Sequence, residues 1–325
     1  MKRIFKVRRV SSKVKENQQE QDKANASNDD ISTEFAVVSQ TVAAAAARQQ
    51  ALAAAKQAAT AATVSPPKPK IEFRPIYGFE NADEADSPLK WFCPPDGWGS
   101  SIREGSREGK NGWWEVSQGE LLVAAPAKKD FWRKTYYEPL FVKDDAPFLY
   151  STVPMDSLPV TIETSFTLTP KCQFDQAGIF IRIDSEHWIK CGIENVDGIP
   201  RLSCVVTNGF SDWSTQKWEE SSLRIRVHML PQHGGSYVVE ACPLSDDEKN
   251  KPWTFMRIAH MNKNMNHDFL NDHPNVQNSF KGPNAPTDCL MAGVFAACPE
   301  DQSGSNVLFH DLSIKKGSTF VHSIH

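Results

Sequence analysis

No stretch of this 325-residue sequence approaches the roughly 20 consecutive apolar residues that a membrane-spanning helix needs. Positive charge is not in excess either. Thirty-six Lys and Arg face 40 Asp and Glu, for a net charge of −4 and a pI near 6.2. That balance argues against nucleic acid or an anionic membrane surface as a partner. CxxC pairs are absent: the cysteines stand at 93, 172, 191, 204, 242, 289 and 298, with no short metal spacing among them. Their number is odd, and several lie in apolar runs where a free thiol acts as a small hydrophobe. This usage predicts no zinc site and a reducing compartment, hence the cytoplasm. Also missing are the Walker loop, the dinucleotide GxGxxG and the nucleophile elbow GxSxG, so no cofactor is predicted.

What the chain does have is a dense series of short apolar runs. They centre on residues 174–214, FDQAGIFIRIDSEHWIKCGIENVDGIPRLSCVVTNGFSDWS. Runs at 177–183, 188–196 and 202–206 are separated by DSEH and DGIP, and the last ends at NG, the pattern of an antiparallel meander. Further runs lie at 148–153, 160–168, 221–230, 237–241, 253–260, 289–296 and 307–314. Within 160–168, Ile162, Thr164, Phe166 and Leu168 alternate with Glu163, Ser165 and Thr167, which gives one buried and one wet face. About a dozen strands so spaced predict an all-β fold of two packed antiparallel sheets.

Residues 1–70 are a different kind of chain. The first 15 are basic without an acid, which predicts a solvated tail, with a mitochondrial transit peptide as the alternative. Residues 41–62, nearly all Ala and Gln, predict an exposed, partly formed helix. Prolines at 66, 67 and 69 predict an extended linker. The expected division is therefore a disordered or partly helical tail, 1–70, and a folded domain, 71–325. Within that domain 97–112 is a Gly- and charge-rich loop among Trp91, Trp98, Trp113 and Trp114. The polar stretch 262–286, which holds His267 and His273, is an expected insertion.

DQAG before an apolar run, then HWIKCGIE, VDG and VVTNGFSDWS, resemble the DUF1349 family in that order. KDFWRKTYY at 129–137 and GVFAACP at 293–299 extend the resemblance over roughly 79–316. It implies a concanavalin A-like lectin/glucanase jelly roll. Because the family includes a fungal regulator of enolase, it also implies a metabolic enzyme such as enolase as a partner. Glycosidases of this fold carry paired acids, typically as ExDxxE, and hydrolysis needs two carboxylates about 5–9 Å apart. The nearest cluster here is Glu186, Glu194 and Asp197, and Asp197-Gly198 signals a hairpin turn instead. No catalytic residue is assigned. His187 is expected to face solvent, and a glycoside hydrolase is the least supported reading.

Binding has more support. Side chains alternate along a strand, so Trp188, Lys190, Gly192 and Glu194 share one face while Ile189, Cys191 and Ile193 share the other. The second face is core. Trp132, Arg133, Gln176, Thr207, Asn208, Asp212, Trp213 and Ser214 join the first as rings and planar polar groups suited to a sugar. Gly192 is expected to leave room for the ligand. The prediction is a lectin-like carbohydrate site on the open sheet, centred on Trp188, Lys190, Glu194 and Asp212. Two alternatives stand beside it: an ordinary wet sheet surface with Lys190 and Glu194 in surface pairs, and a structural corner at SDWS with Trp213 plugging the sandwich.

Overall fold

The computed structural model describes residues 50 and 70–320, apart from 81, 83, 97–110, 233–234, 245–251, 262–283 and 301–303. The expected tail and its linker as far as 69, Trp98, most of the 97–112 loop and the insertion as far as 283 lie outside the described residues. Every strand belongs to the unit Ile71–His325.

The strands in chain order are β1 (Ile76–Tyr77), β2 (Lys90–Phe92), β3 (Trp113–Ser117), β4 (Glu120–Ala124), β5 (Phe131–Arg133) and β6 (Val142–Asp144). There follow β7 (Phe148–Pro154), β8 (Val160–Thr169), β9 (Gln176–Asp184), β10 (His187–Val196), β11 (Ile199–Asn208) and β12 (Phe210–Lys217). The last are β13 (Ser222–Leu230), β14 (Ser236–Cys242), β15 (Thr254–His260), β16 (Cys289–Ala297) and β17 (Asn306–Lys316). An eight-stranded sheet runs β15-β14-β13-β8-β17-β4-β3 with β1 beside β17, and a seven-stranded sheet runs β12-β11-β10-β9-β16-β7-β2. β5 and β6 pair only with each other. All of these pairings are antiparallel, so the chain is the all-β two-sheet sandwich that its alternation predicts.

The central meander follows from local chemistry. Asp197 and Gly198 take φ of 54° and 77°, the two left-handed positions of a tight hairpin turn, and thereby set Val196 opposite Ile199. That register carries Ile189, Cys191, Ile193, Leu202, Cys204 and Val206 inward, onto Ile162, Phe166, Leu223, Ile225, Val227 and Leu312 of the other sheet. The cysteines are all free thiols, and burial pushes the Cys204 thiol up to about 12.

Residues 210–217 form no corner. They are β12, an edge strand of the seven-stranded sheet. β15 is the corresponding edge of the other sheet, and polar side chains tie the two together. Arg257 donates to Asp212 Oδ2 at 2.8 Å and to Ser214 Oγ at 2.8 Å. Gln216 Nε2 donates to Met256 O at 3.0 Å, and Asn208 Nδ2 to His260 O at 2.9 Å.

Candidate functional site

The outer face of the seven-stranded sheet, turned away from its partner sheet, gathers Phe148, Phe180, Trp188, Val205, Met291 and Phe295. An apolar patch of this kind is seldom left to water. The chain between β4 and β7 crosses it, and the β5–β6 ribbon lays Phe131 into the cluster. Phe131 stacks on Phe180 with ring centroids 4.1 Å apart and sits 6.2 Å from Trp188. Trp188 is only 1% exposed beneath it. Full burial of one such ring contributes roughly 1.5–3 kcal/mol.

Charge fastens this cover at three points. Arg182 grips Asp144 with two hydrogen bonds, Nη1 to Oδ1 at 2.5 Å and Nη2 to Oδ2 at 2.9 Å. Arg133 pairs with Glu186. Lys190 Nζ donates to Asp130 Oδ1 at 2.9 Å, where the Phe131 N–H (2.7 Å) and Gln176 Nε2 (3.3 Å) also donate. Burial pushes the Asp144 carboxyl up to about 6 against the pull of Arg182. Burial also lowers the Arg133 pKa, while Asp144 and Asp184 hold it up.

The cover meets β12 at its start, where the Arg133 N–H donates to Ser211 Oγ; farther along that strand the Trp213 ring is exposed. Glu194 is 5% exposed; its Oε2 accepts from Ser203 Oγ at 2.6 Å and from Trp213 Nε1 at 3.0 Å. The Trp213 ring is 39% exposed and stands edge-on to Phe174 at 6.2 Å. The turn between β5 and β6 presents Tyr137, 41% exposed, and Tyr136, 90% exposed, with ring centroids 5.4 Å apart. Burial raises the Tyr137 hydroxyl pKa, and the neighbouring charges of Asp130 and Glu194 add to the effect. Burial likewise raises the Glu194 carboxyl, offset in part by Lys190 and by the Ser203 hydrogen bond. Gln176, Lys190, Gly192, Glu194, Ser203 and Phe295 line a crevice with no room for a water molecule.

The turn that presents the tyrosines is strained. Lys134 and Tyr136 have φ of 63° and 75°, left-handed backbone that costs a non-glycine residue roughly 1–2 kcal/mol. Lys134 is buried, with its ammonium 5.4 Å from the centre of the Phe210 ring. Tyr136 has no such burial to offset its strain.

The structure corrects the expected site in several places. Trp188 is no open platform, because Phe131 seals it. Lys190 and Gln176 are buried and bonded to Asp130 rather than offered to solvent. Arg133 belongs to the cover, and its backbone N–H donates to Ser211 Oγ at 2.9 Å. Trp132 is half-buried behind Tyr137, with Nε1 on Thr135 O at 3.0 Å. Thr207 is buried with its hydroxyl 2.9 Å from Ser211 Oγ, while Asn208 and Asp212 bind the opposite edge strand. Gly192 serves the sheet rather than a ligand: a Cβ there would lie 2.0 Å from Ala177 O. His187 is buried, with Nδ1 2.8 Å from Asp184 Oδ1, so it does not face solvent. Of the expected residues, Gln176, Lys190, Glu194 and Trp213 do come together. Asp130, Ser203, Tyr136 and Tyr137 were not singled out by the sequence; the adjacent tyrosines just before Glu138-Pro139 were the available signal. Among the described residues no group of three or more His, Cys, Asp and Glu side chains is placed to hold a metal ion.

Known proteins resemble this chain in sequence and in fold. The family described as "Protein of unknown function (DUF1349)" matches residues 109–317. "Regulation of enolase protein 1" of Saccharomyces cerevisiae is 35% identical over 142 residues, 43% of this chain and 66% of that protein. An uncharacterized protein of Emericella nidulans is 32% identical over 104 residues, 31% of this chain and 50% of its own length. The match thus spans just under two thirds of the first relative and half of the second. The crystal structure of a functionally unknown protein from Saccharomyces cerevisiae superposes with a TM-score of 0.51 at 26% identity, covering 71% of this chain and 97% of that one. The chain belongs to the DUF1349 family.

Proposed function

We propose that this protein is a binding factor that acts on a metabolic enzyme, with enolase as the first candidate. The observation that carries this reading is the 35% identity to a yeast protein named for the regulation of enolase. The surface is suited to the task. Trp213, Tyr136 and Tyr137 are exposed, and Trp and Tyr are among the residue types that most often anchor protein interfaces. Action in the cytoplasm is part of the proposal and follows from the free cysteines. The test is calorimetric titration of purified enolase with the full-length protein, alongside enolase turnover. Saturable binding that changes turnover is expected; no heat at the highest soluble enzyme concentration overturns the reading.

A second reading, carbohydrate binding, is favoured by one observation: the exposed Trp213 ring stands beside the buried Glu194 carboxylate. On this reading Trp213, not Trp188, is the stacking ring. A glycan array with wild type and Trp213→Ala tests it, and equal signals from the two proteins would remove it.

A further inference from the structure

A cavity of about 300 Å³ lies where the chain enters and leaves the β5–β6 ribbon. Its walls come from Pro126 and Lys129 before the ribbon, Asp145 after it, Cys93, Pro94 and Asp96 after β2, and Asn111 before β3. At about 30 Å³ of liquid per water molecule it has room for roughly ten waters, the size at which ligand pockets begin. The walls are braced. Lys129 Nζ donates to Asp145 Oδ2 at 3.1 Å, Asp145 Oδ1 accepts from the Asp130 N–H at 3.3 Å, and Asn111 Oδ1 accepts from the Ala127 N–H at 3.0 Å. A Cβ at Gly112 would lie 2.7 Å from Ala124 O, so the backbone next to Asn111 is packed tightly in place.

These walls leave hydrogen-bonding capacity of both kinds unspent. Lys129 uses one of its three N–H groups on Asp145, and the amide N–H groups of Asn111 have no acceptor among the described residues. The Asp96 carboxylate has neither a donor nor an ion-pair partner among them. Charge is balanced: Asp96 and Asp145 stand against Lys129 and against Lys143, whose Nζ is 3.9 Å from Asp145 Oδ2. Such walls favour neither a lone cation nor a lone anion. Burial, with the Asp144 and Asp145 charges, pushes the Cys93 thiol up to about 12, so it borders the cavity as a neutral group and not as a nucleophile. Pro94 and Pro126 add apolar rings. We propose that this cavity binds a small zwitterion, a free α-amino acid, with its carboxylate on Lys129 and Asn111, its ammonium on Asp96 and a short aliphatic side chain against the prolines. Charge on a donor or acceptor makes each such hydrogen bond roughly twice as strong as a neutral one. The proposal stands apart from the enzyme-binding reading and survives its failure.

Calorimetric titration of the full-length protein with L-valine gives the test. N-acetyl-L-valine keeps only the anion, L-valinamide only the cation, and methyl glucoside neither, so these three are the controls. Valine should bind saturably in the millimolar range or tighter, and each control about tenfold more weakly. Asp96 is exposed and holds none of the side-chain braces, so Asp96→Asn should fold normally and weaken valine binding about tenfold. Lys129→Gln should weaken it by a similar factor. That variant also removes the Asp145 brace, so its circular dichroism is compared with that of the wild type before its binding is read. No heat with valine at its solubility limit, binding of valinamide or acetylvaline as tight as that of valine, heat from the glucoside alone, or an affinity unchanged in Asp96→Asn would each overturn the proposal.

Discussion

Two tryptophans of the same outer face have opposite fates. Trp188 on β10 is 1% exposed, and Trp213 on β12, two strands away, is 39% exposed. Their strands share one sheet, and both rings stand on the same side of it. The difference is Phe131, which comes from 57 positions upstream of Trp188 and reaches one ring but not the other. Whether an aromatic residue on a sheet is platform or filling is thus decided by a distant segment, not by its own strand.

Exchanging the pair breaks or upholds the contrast most directly. Trp188→Ala should cost about 3–5 kcal/mol in urea unfolding, because it empties the packed half. Trp213→Ala should cost less than about 1 kcal/mol, as expected for an exposed ring. Comparable losses at the two positions would contradict the account. Next comes the fastening of the cover. Asp130→Ala strands the buried Lys190 ammonium and should destabilise by about 3 kcal/mol, measured in the same way.

The alternation at 160–168 and 188–194 was enough to place the core side of both strands, because period two is a local property of the backbone. The Asp197-Gly198 turn was equally legible, since its left-handed positions favour such residues. The other face was not. Lys190 and Glu194 look alike in the sequence, and contacts with Asp130, Ser203 and Trp213, on three other segments, separate the one that fastens the cover from the one that bonds to an exposed ring. Strand β12 was missed as a strand because Ser-Asp-Trp-Ser has too few apolar residues; its polar groups serve the opposite edge strand instead.

Two smaller effects sharpen the open half. Tyr136→Gly should stabilise the fold by roughly 1 kcal/mol, since glycine accepts φ of 75° without strain. Thermal unfolding checks this. The last effect is a slope. Glu194 has a folded-state pKa above its unfolded one, so the unfolded chain ionises first as pH rises through the ordinary carboxylate range. In that window the folded state binds the more protons and stability falls with rising pH; above the raised value the loss is complete and constant. Glu194→Gln should flatten that slope in urea midpoints taken across pH, and a parallel profile would refute the assignment.

Oxidative labelling of the folded, full-length protein, read tryptophan by tryptophan in a mass spectrometer, tests the filled-and-open face most directly. The account predicts rapid oxidation at Trp213 and protection at Trp188 until the protein unfolds. Modification of Trp188 at a rate similar to that of Trp213 in the folded protein would contradict it.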